Sequence, residues 1–150
     1  MIDKFEGEYA FLSNFYSSPI EVWIDEEVHL MAPTAEHVFQ YLKTPSEEEG
    51  IDILMAQTPG QAKRLGRKCL LRKDWEEVKD HAMLSVLRAK FANPELKEKL
   101  IATGEAELIE GNHWNDTYWG VCNGIGKNML GKLLMQVREE IKNDTLIFTK

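Results

Sequence analysis

The chain has 150 residues, a mass of 17.3 kDa and a formal net charge of −7 at pH 7. This length is typical of one domain, and 43% hydrophobic with 29% charged residues excludes a disordered or low-complexity protein. The acidic balance argues against sequence-independent binding along a nucleic-acid backbone. We therefore expect a single domain over residues 1–150.

Cysteine usage and the N-terminus indicate where the protein works. Cys69 and Cys122 are too few for a disulfide framework, and their spacing is not that of a zinc site. The N-terminus has no apolar signal core, and no apolar run is long enough to cross a membrane. These features predict a cytoplasmic protein with no membrane partner.

The first part of the chain predicts a β-hairpin. Residues 20–24 and 28–30 alternate apolar and polar side chains, and the acidic run 25–27 separates them. A period of two is typical of antiparallel strands that bury one face.

Start signals then predict three helices, of which the first ends at about Lys43 and the third is basic. The predicted starts are Thr34, Ser46 with the capping-box residue Glu49, and Thr58 with Pro59 and the capping-box residue Gln61.

The longest predicted helix covers residues 74–91. Apolar residues recur there at helical spacing, and Trp75 lies on the apolar stripe, so its expected place is the core. Asn93 and Pro94 begin a further helix, which ends where Gly104 can adopt a left-handed conformation.

The C-terminal part predicts a strand over residues 105–109 and a last amphipathic helix that begins near Asn128. Together these elements predict an α+β domain dominated by helices around a small antiparallel sheet.

An aromatic loop over residues 112–120 fits neither the helical nor the strand period. Exposed aromatic faces stack on planar heterocycles, and Asp116 among them can activate water or stabilise positive charge on a sugar carbon. The alternative is that Trp114 and Trp119 fill the core beneath a loop.

A second candidate group lies on the first predicted helix. Glu36, Gln40 and Lys43 follow one another about one turn apart, so all three can face one cleft. The alternative is that Glu36 is a first-turn acid favoured by the helix dipole.

Positive charge is concentrated in residues 63–73, which hold six of the 18 lysines and arginines. This asymmetry favours an anionic ligand, with Lys63 and Arg67 as phosphate partners one turn apart. The alternative is a solvated basic face.

No cofactor or metal is predicted. Residues 126–132 match the string G-x-x-x-x-G-K, but Leu133 replaces the hydroxyl residue that holds magnesium, and no buried strand precedes the string. Metal-ligand spacings are also missing from the sequence.

Ordered motifs along nearly the whole chain resemble the NADAR family, also called YbiA-like. The matching stretches are Phe5-x-Gly7-x-Tyr9-x-Phe11-Leu12-Ser13-Asn14-Phe15-Tyr16, Thr34-Ala35-Glu36-His37-x-Phe39-Gln40, Gly60-Gln61-Ala62-Lys63-x-x-Gly66-Arg67, Asp74-Trp75, Lys90-Phe91, Glu110-Gly111-Asn112, Asp116-x-x-Trp119-Gly120 and Gly126-Lys127-Asn128-x-Leu130-Gly131-x-x-Leu134-Met135-x-x-Arg138.

The resemblance implies an N-glycosidase that hydrolyses the bond between a phosphorylated ribose and a nitrogen base. The implied substrates are ADP-ribosylated guanine, free or in nucleic acid, and phosphoribosylamino intermediates of riboflavin synthesis. A non-catalytic module that binds ADP-ribose or another nucleotide is the alternative. Carboxylates near the sugar favour the enzyme, since a reader of an anionic ligand gains nothing from them.

Ten residues are predicted for the site, from the motifs and from their own spacing. The chemical step is assigned to carboxylates or to a lysine that forms a Schiff base, and sequence alone does not decide between these routes. The catalytic candidates are Glu36, Asp116 and Lys63, and the substrate-binding candidates are Asn14, Gln40, Lys43, Arg67, Trp114, Trp119 and Asn128.

Overall fold

The structure is a computed structural model that describes residues 1–143, so residues 144–150 of the predicted domain lie outside it. The described chain is mostly helical, with six α-helices, one 3-10 helix and a small antiparallel two-stranded sheet, and this confirms the predicted α+β class. It folds as two compact units, which we call the central unit (residues 14–86) and the terminal unit (residues 1–13 and 87 onward). The single domain stays a prediction.

The central unit opens with the predicted hairpin and continues with helices. Its elements are β1 (Ser17–Trp23), β2 (His29–Thr34), α1 (Ala35–Tyr41), α2 (Glu47–Leu54), α3 (Pro59–Lys68) and the first three turns of α4 (Trp75–Lys90).

The hairpin buries one face, as its alternation predicts. β1 and β2 pair antiparallel, and the register places Ile20 opposite Ala32, which are both buried. The Asp25 carboxylate accepts hydrogen bonds from the Glu27 and Val28 amides at 2.8 Å and closes the turn.

All three helices begin at the predicted N-caps. The hydroxyls of Thr34, Ser46 and Thr58 each accept a hydrogen bond from the amide three residues on. In a complete capping box, the Glu or Gln side chain also accepts a hydrogen bond from the backbone amide of the N-cap residue. This part of both predictions is wrong, because each side chain accepts from another amide. Glu49 accepts from the Leu70 amide, and Gln61 accepts from the Gln57 amide.

Trp75 and His37 are two buried ring side chains of the central unit. Trp75 is buried, and its ring lies 5.2 Å from that of Phe39, which confirms its expected place in the core. His37 is fully buried, with Nδ1 at 2.8 Å from the Thr34 hydroxyl and Nε2 at 3.0 Å from the Ala56 carbonyl oxygen. It is a satisfied structural histidine.

The terminal unit packs its last helix against the helix that covers residues 94–102. Its elements are the 3-10 helix (Gly7–Leu12), the last turn of α4, α5 (Pro94–Ala102), β3 (Gly111–Asn112), β4 (Val121–Cys122) and α6 (Met129–Lys142). Its buried side chains include Phe91, Leu108, Leu134 and Val137.

The strand predicted over residues 105–109 is wrong. Only Leu108 pairs there, in a single parallel bridge with Ile2, flanked by the hydrogen bonds Ile2 N to Glu107 O and Ile109 N to Ile2 O. One bridge leaves the neighbouring residues without a ladder. β3 and β4, by contrast, form a short parallel pair that the sequence did not predict.

Within residues 1–143, no helix combines the length and apolar character that a membrane span requires. The cytoplasmic location stays a prediction.

Candidate active site

The ten predicted site residues divide between the two units, and each group is described within its own unit. The central unit holds Asn14, Glu36, Gln40, Lys43, Lys63 and Arg67, and the terminal unit holds Trp114, Asp116, Trp119 and Asn128.

Glu36 is a buried carboxylate in the first turn of α1. Thr34 caps this helix, and the Glu36 amide donates a hydrogen bond to the Asn14 carbonyl oxygen at 3.0 Å. Only 8% of Glu36 is exposed. An acid that merely complements the helix dipole gains nothing from burial, which costs an ionised group solvation. The burial therefore argues against the first-turn alternative.

Gln40 lies one turn after Glu36 and contacts it directly. The Gln40 Nε2 atom donates to Glu36 Oε2 at 2.5 Å, and Gln40 is 2% exposed. The expectation that these two side chains share one face of the helix is confirmed.

Charged groups on α1 and α3 act on the pKa of Lys43. Burial lowers the pKa of Lys43, Glu36 acts against that shift, and the positive charges of Lys63 and Arg67 lower the pKa further. The Lys43 ammonium also lies 5.9 Å from the centre of the Phe39 ring. Glu36 lies on α1, and Lys63 and Arg67 lie on α3, which packs against α1.

Only part of the basic cluster predicted over residues 63–73 is available to bind an anionic ligand. Arg72 forms a two-pronged ion pair with Asp74, at 2.6 and 2.9 Å, so its charge is already matched. Arg64, Lys68 and the predicted phosphate partner Arg67 are exposed, as the solvated-face alternative predicts. Lys63, half-buried, is the member of the cluster that lies deepest on α3.

Asn14 is a buried amide in the turn that precedes β1. Its backbone oxygen accepts from the Glu36 amide, and its Nδ2 donates to the Met83 sulfur at 3.3 Å. Within residues 1–143 its Oδ1 atom has no hydrogen-bond partner. Asn14 therefore fixes the start of α1.

Sequence reasoning missed two residues of this group. Phe15 is 45% exposed, and the Lys63 ammonium lies 6.0 Å from the centre of its ring. Gly66 on α3 lies against Gln40, because a Cβ atom at this position would overlap Gln40 Oε1. Both stand inside the motifs quoted above, and that position was the only signal available from sequence.

In the terminal unit, Asp116 organises the aromatic loop. Its Oδ1 atom accepts hydrogen bonds from the Tyr118 and Trp119 amides at 3.2 and 2.9 Å. Asn112 braces the same turn, since its side chain accepts from the Asp116 amide at 3.0 Å and donates to the Asp116 carbonyl oxygen at 2.9 Å. One oxygen of the predicted catalytic carboxylate thus has a structural role.

The two loop tryptophans differ in exposure. Trp114 is 53% exposed, and its ring lies edge-on to that of His113 with the ring centres 5.1 Å apart. Trp119 is half-buried, edge-on to Tyr118 at 4.9 Å. The alternative that Trp114 fills the core is therefore wrong.

Asn128 holds the backbone behind this loop. Its Oδ1 accepts from the Glu110 amide and its Nδ2 donates to the Leu108 carbonyl oxygen, both at 2.9 Å. Its φ of +54° is left-handed, a conformation that asparagine tolerates better than most residues. Both ends of the amide are occupied by backbone, and a direct contact with substrate stays a prediction.

In the described residues, no three histidine, cysteine or acidic side chains are arranged to hold a metal ion.

Comparisons with known proteins identify the same family as the sequence motifs. The family model described as the NADAR domain matches residues 2–142. The chain is 42% identical over 142 residues to the N-glycosidase YbiA of Shigella flexneri serotype 5b, an alignment that covers 89% of this chain and 82% of that protein. It is 36% identical over 145 residues to the riboflavin biosynthesis protein VVA0006 of Vibrio vulnificus, covering 91% of this chain and 37% of the longer protein.

The fold also has a solved counterpart. The NMR structure of the E. coli protein YbiA superposes with a TM-score of 0.80 at 39% identity, and the match covers 100% of this chain and 92% of that one. Sequence and fold thus agree on the same relatives.

Proposed function

The chain belongs to the NADAR domain family, and on that premise we propose that it is an N-glycosidase that hydrolyses the bond between a phosphorylated ribose and a nitrogen atom of a base. Relatives named N-glycosidase, similar over most of both chains, support the activity. The riboflavin biosynthesis name of another relative supports a ribosyl substrate of small-molecule size.

One observation carries the proposal: the buried carboxylate Glu36 lies on α1, which packs against α3, the helix that carries Lys63 and Arg67. Cleavage of a ribosyl C–N bond builds positive charge on C1′ in the transition state, and a carboxylate stabilises that charge. The cations on α3 match the phosphate of the same substrate. The combination suits a phosphorylated ribosyl compound better than either feature alone.

In the direct route, Glu36 stabilises the developing cation or orients water. The C1′–N bond breaks with its electron pair leaving on the base nitrogen, and a water oxygen bonds to C1′. One water proton goes to the base nitrogen and the other stays on the new hydroxyl. Asp116 is the second carboxylate proposed for this step.

In the lysine route, the amine nitrogen bonds to C1′, and the C1′–O4′ and C1′–N bonds break. One amine proton goes to O4′ and the other to the departing base nitrogen, which leaves an imine between the lysine and the opened sugar. Water then hydrolyses the imine and regenerates the amine. The lowered pKa of Lys43 supports it as nucleophile, because more of its amine is neutral near pH 7. Lys63 remains the other candidate. Trapping with borohydride separates the routes, since only an imine gives a stable reduced adduct.

The remaining predicted residues are proposed as binding groups. Trp114 and Trp119 would stack on the base, since aromatic faces suit any heterocycle. Arg67 would bind phosphate, and Asn14 and Asn128 would contact the substrate. ADP-ribosylated guanine, free or in nucleic acid, and phosphoribosylamino compounds are the proposed substrates, acted on in the cytoplasm without a cofactor.

Mass spectrometry of reaction products tests the proposal. The purified protein is incubated separately with ADP-ribosylated guanosine and with a phosphoribosylamino pyrimidine, beside the Glu36→Gln variant. We expect release of the free base by the wild-type protein and its loss in the folded variant. Base release by neither protein from either substrate, with retained binding, would favour the nucleotide-binding module instead.

A further inference from the structure

Gln40 is buried in an arrangement that satisfies only one end of its amide. Its Nε2 donates to Glu36 Oε2, whereas its Oε1 has no hydrogen-bond partner among the described residues. Buried polar atoms are nearly always hydrogen-bonded, so an exception calls for a physical cause. The cause lies on the neighbouring helix.

Gly66 of α3 lies directly against the Gln40 Oε1 atom. The Gln40 carbonyl oxygen lies where a side chain at residue 66 would begin, so only glycine leaves room for it. The amide is thereby fixed between a carboxylate on its own helix and the backbone of α3. Any side chain at position 66 would displace the Gln40 amide from its present position.

The orientation of this amide also bears on Glu36. With the opposite orientation, the amide oxygen would face the carboxylate oxygen and repel it, unless Glu36 carried a proton. An ionised carboxylate accepts hydrogen bonds and donates none, so an N–H group pointing at Oε2 stabilises that form.

We propose that Gln40 is a positioning residue that holds Glu36 as an ionised carboxylate in one fixed orientation, and that Gly66 permits this by seating the other end of the amide. The inference rests on the proposed function, in which Glu36 touches the reacting sugar, and it replaces the direct substrate contact predicted for Gln40. Glu36 then acts as the acceptor or electrostatic partner of the cationic sugar carbon, and it does not act as the proton donor to the base.

Two variants act on this amide from opposite sides. Gln40→Met keeps the length of the side chain and removes the donor, and Gly66→Ala displaces the carbonyl end while leaving Gln40 intact. Misplacement of a reacting group by about 1 Å can cost about 100-fold in rate. We expect kcat to fall about 10- to 100-fold in both variants, with KM changed by less than about 3-fold.

Gly60→Ala is the matched control, because it adds the same methyl group to the same helix. A Cβ atom there would meet nothing nearer than the Thr58 hydroxyl, at 4.0 Å. We expect wild-type kcat for this variant. A Gln40→Met enzyme with kcat within about 3-fold of wild type would overturn the proposal, as would equal losses in Gly60→Ala and Gly66→Ala.

A second measurement keeps the inference testable if these variants do not fold. In wild-type protein labelled with nitrogen-15, one side-chain amide proton of Gln40 should be shifted strongly downfield by its hydrogen bond, and Glu36→Met should abolish the shift. An unshifted proton in the wild-type spectrum overturns the inference. Absence of base release by the wild-type enzyme overturns the proposed function instead, and the amide spectrum then decides the Gln40 contact by itself.

Discussion

The Nζ atom of Lys90 donates a hydrogen bond to the Ser13 carbonyl oxygen at 2.8 Å in the interior of the terminal unit. Lys90 is 1% exposed, and its ammonium also lies 5.2 Å from the centre of the Phe91 ring. Burial lowers the pKa of Lys90 to about 7 from its ordinary value of 10.5. The buried amine thus holds the Ser13 carbonyl in place.

Lys90 should make the stability of the protein depend on pH. Between about 7 and 10.5 the unfolded chain keeps a proton on Lys90 that the folded chain has released, so unfolding takes up a proton. The free energy of unfolding should therefore rise with pH in this window, by at most about 1.4 kcal/mol per pH unit from this group. Urea denaturation from about pH 6 to about pH 9.5 measures the slope.

The control for Lys90 is the same substitution at an exposed lysine. Lys90→Met should flatten the slope, because it removes the titrating group, and Lys132→Met on the exposed side of α6 should leave the slope intact. Identical slopes in wild type and Lys90→Met would show that Lys90 does not titrate in this window.

Much of the fold follows from local signals in the sequence. Thr34, Ser46 and Thr58 cap their helices as predicted, because an N-cap needs only amides two or three residues away. The error over residues 105–109 has the opposite origin. Whether that segment becomes a strand depends on a partner more than a hundred residues away in sequence, Ile2, and this partner pairs at one position only.

Residue spacing predicts one contact of the candidate site and misses two others. Spacing alone placed Glu36 and Gln40 on one helix face. It did not reveal that Gly66 seats the Gln40 amide, because that contact requires α1 and α3 to be packed. Nor did it show that the Asp116 carboxylate caps a turn of its own loop, since the loop has no periodic pattern to predict its path.

Two substitutions at Asp116 should separate its structural role in the loop from a chemical role in catalysis. Asparagine keeps an oxygen that can accept from the Tyr118 and Trp119 amides, and alanine does not. We expect Asp116→Ala to lower the free energy of unfolding by about 1–2 kcal/mol and Asp116→Asn to change it by less than about 0.5 kcal/mol. Both variants should lose activity if the charge acts on the substrate, and thermal melting beside product analysis measures the two effects. An active Asp116→Asn enzyme would reduce Asp116 to a loop residue.

Asn128 should contribute to stability through its amide and through its backbone conformation. Replacement by glycine removes two hydrogen bonds but tolerates the left-handed φ of +54°, and we expect a loss of about 1–3 kcal/mol. Replacement by alanine should cost about 1 kcal/mol more, because alanine disfavours that conformation. Equal stability of the two variants in urea denaturation would mean that the backbone relaxes at this position.

Lys63 should bind the phosphate of the substrate and contribute little to the binding of the base and the sugar. A charged hydrogen bond is worth about 1.5–3 kcal/mol, and 1.4 kcal/mol corresponds to a tenfold change in affinity. We expect Lys63→Met to raise KM about tenfold or more for a phosphorylated ribosyl substrate and to leave KM unchanged for the same compound without its phosphate. Lys132→Met, which removes an equal charge from the terminal unit, controls for net charge.

If Lys63→Met instead abolishes kcat for both compounds while KM stays constant, Lys63 acts in the chemical step, as the lysine route allows. Steady-state kinetics with the paired substrates thus distinguishes a phosphate ligand from a nucleophile at one position.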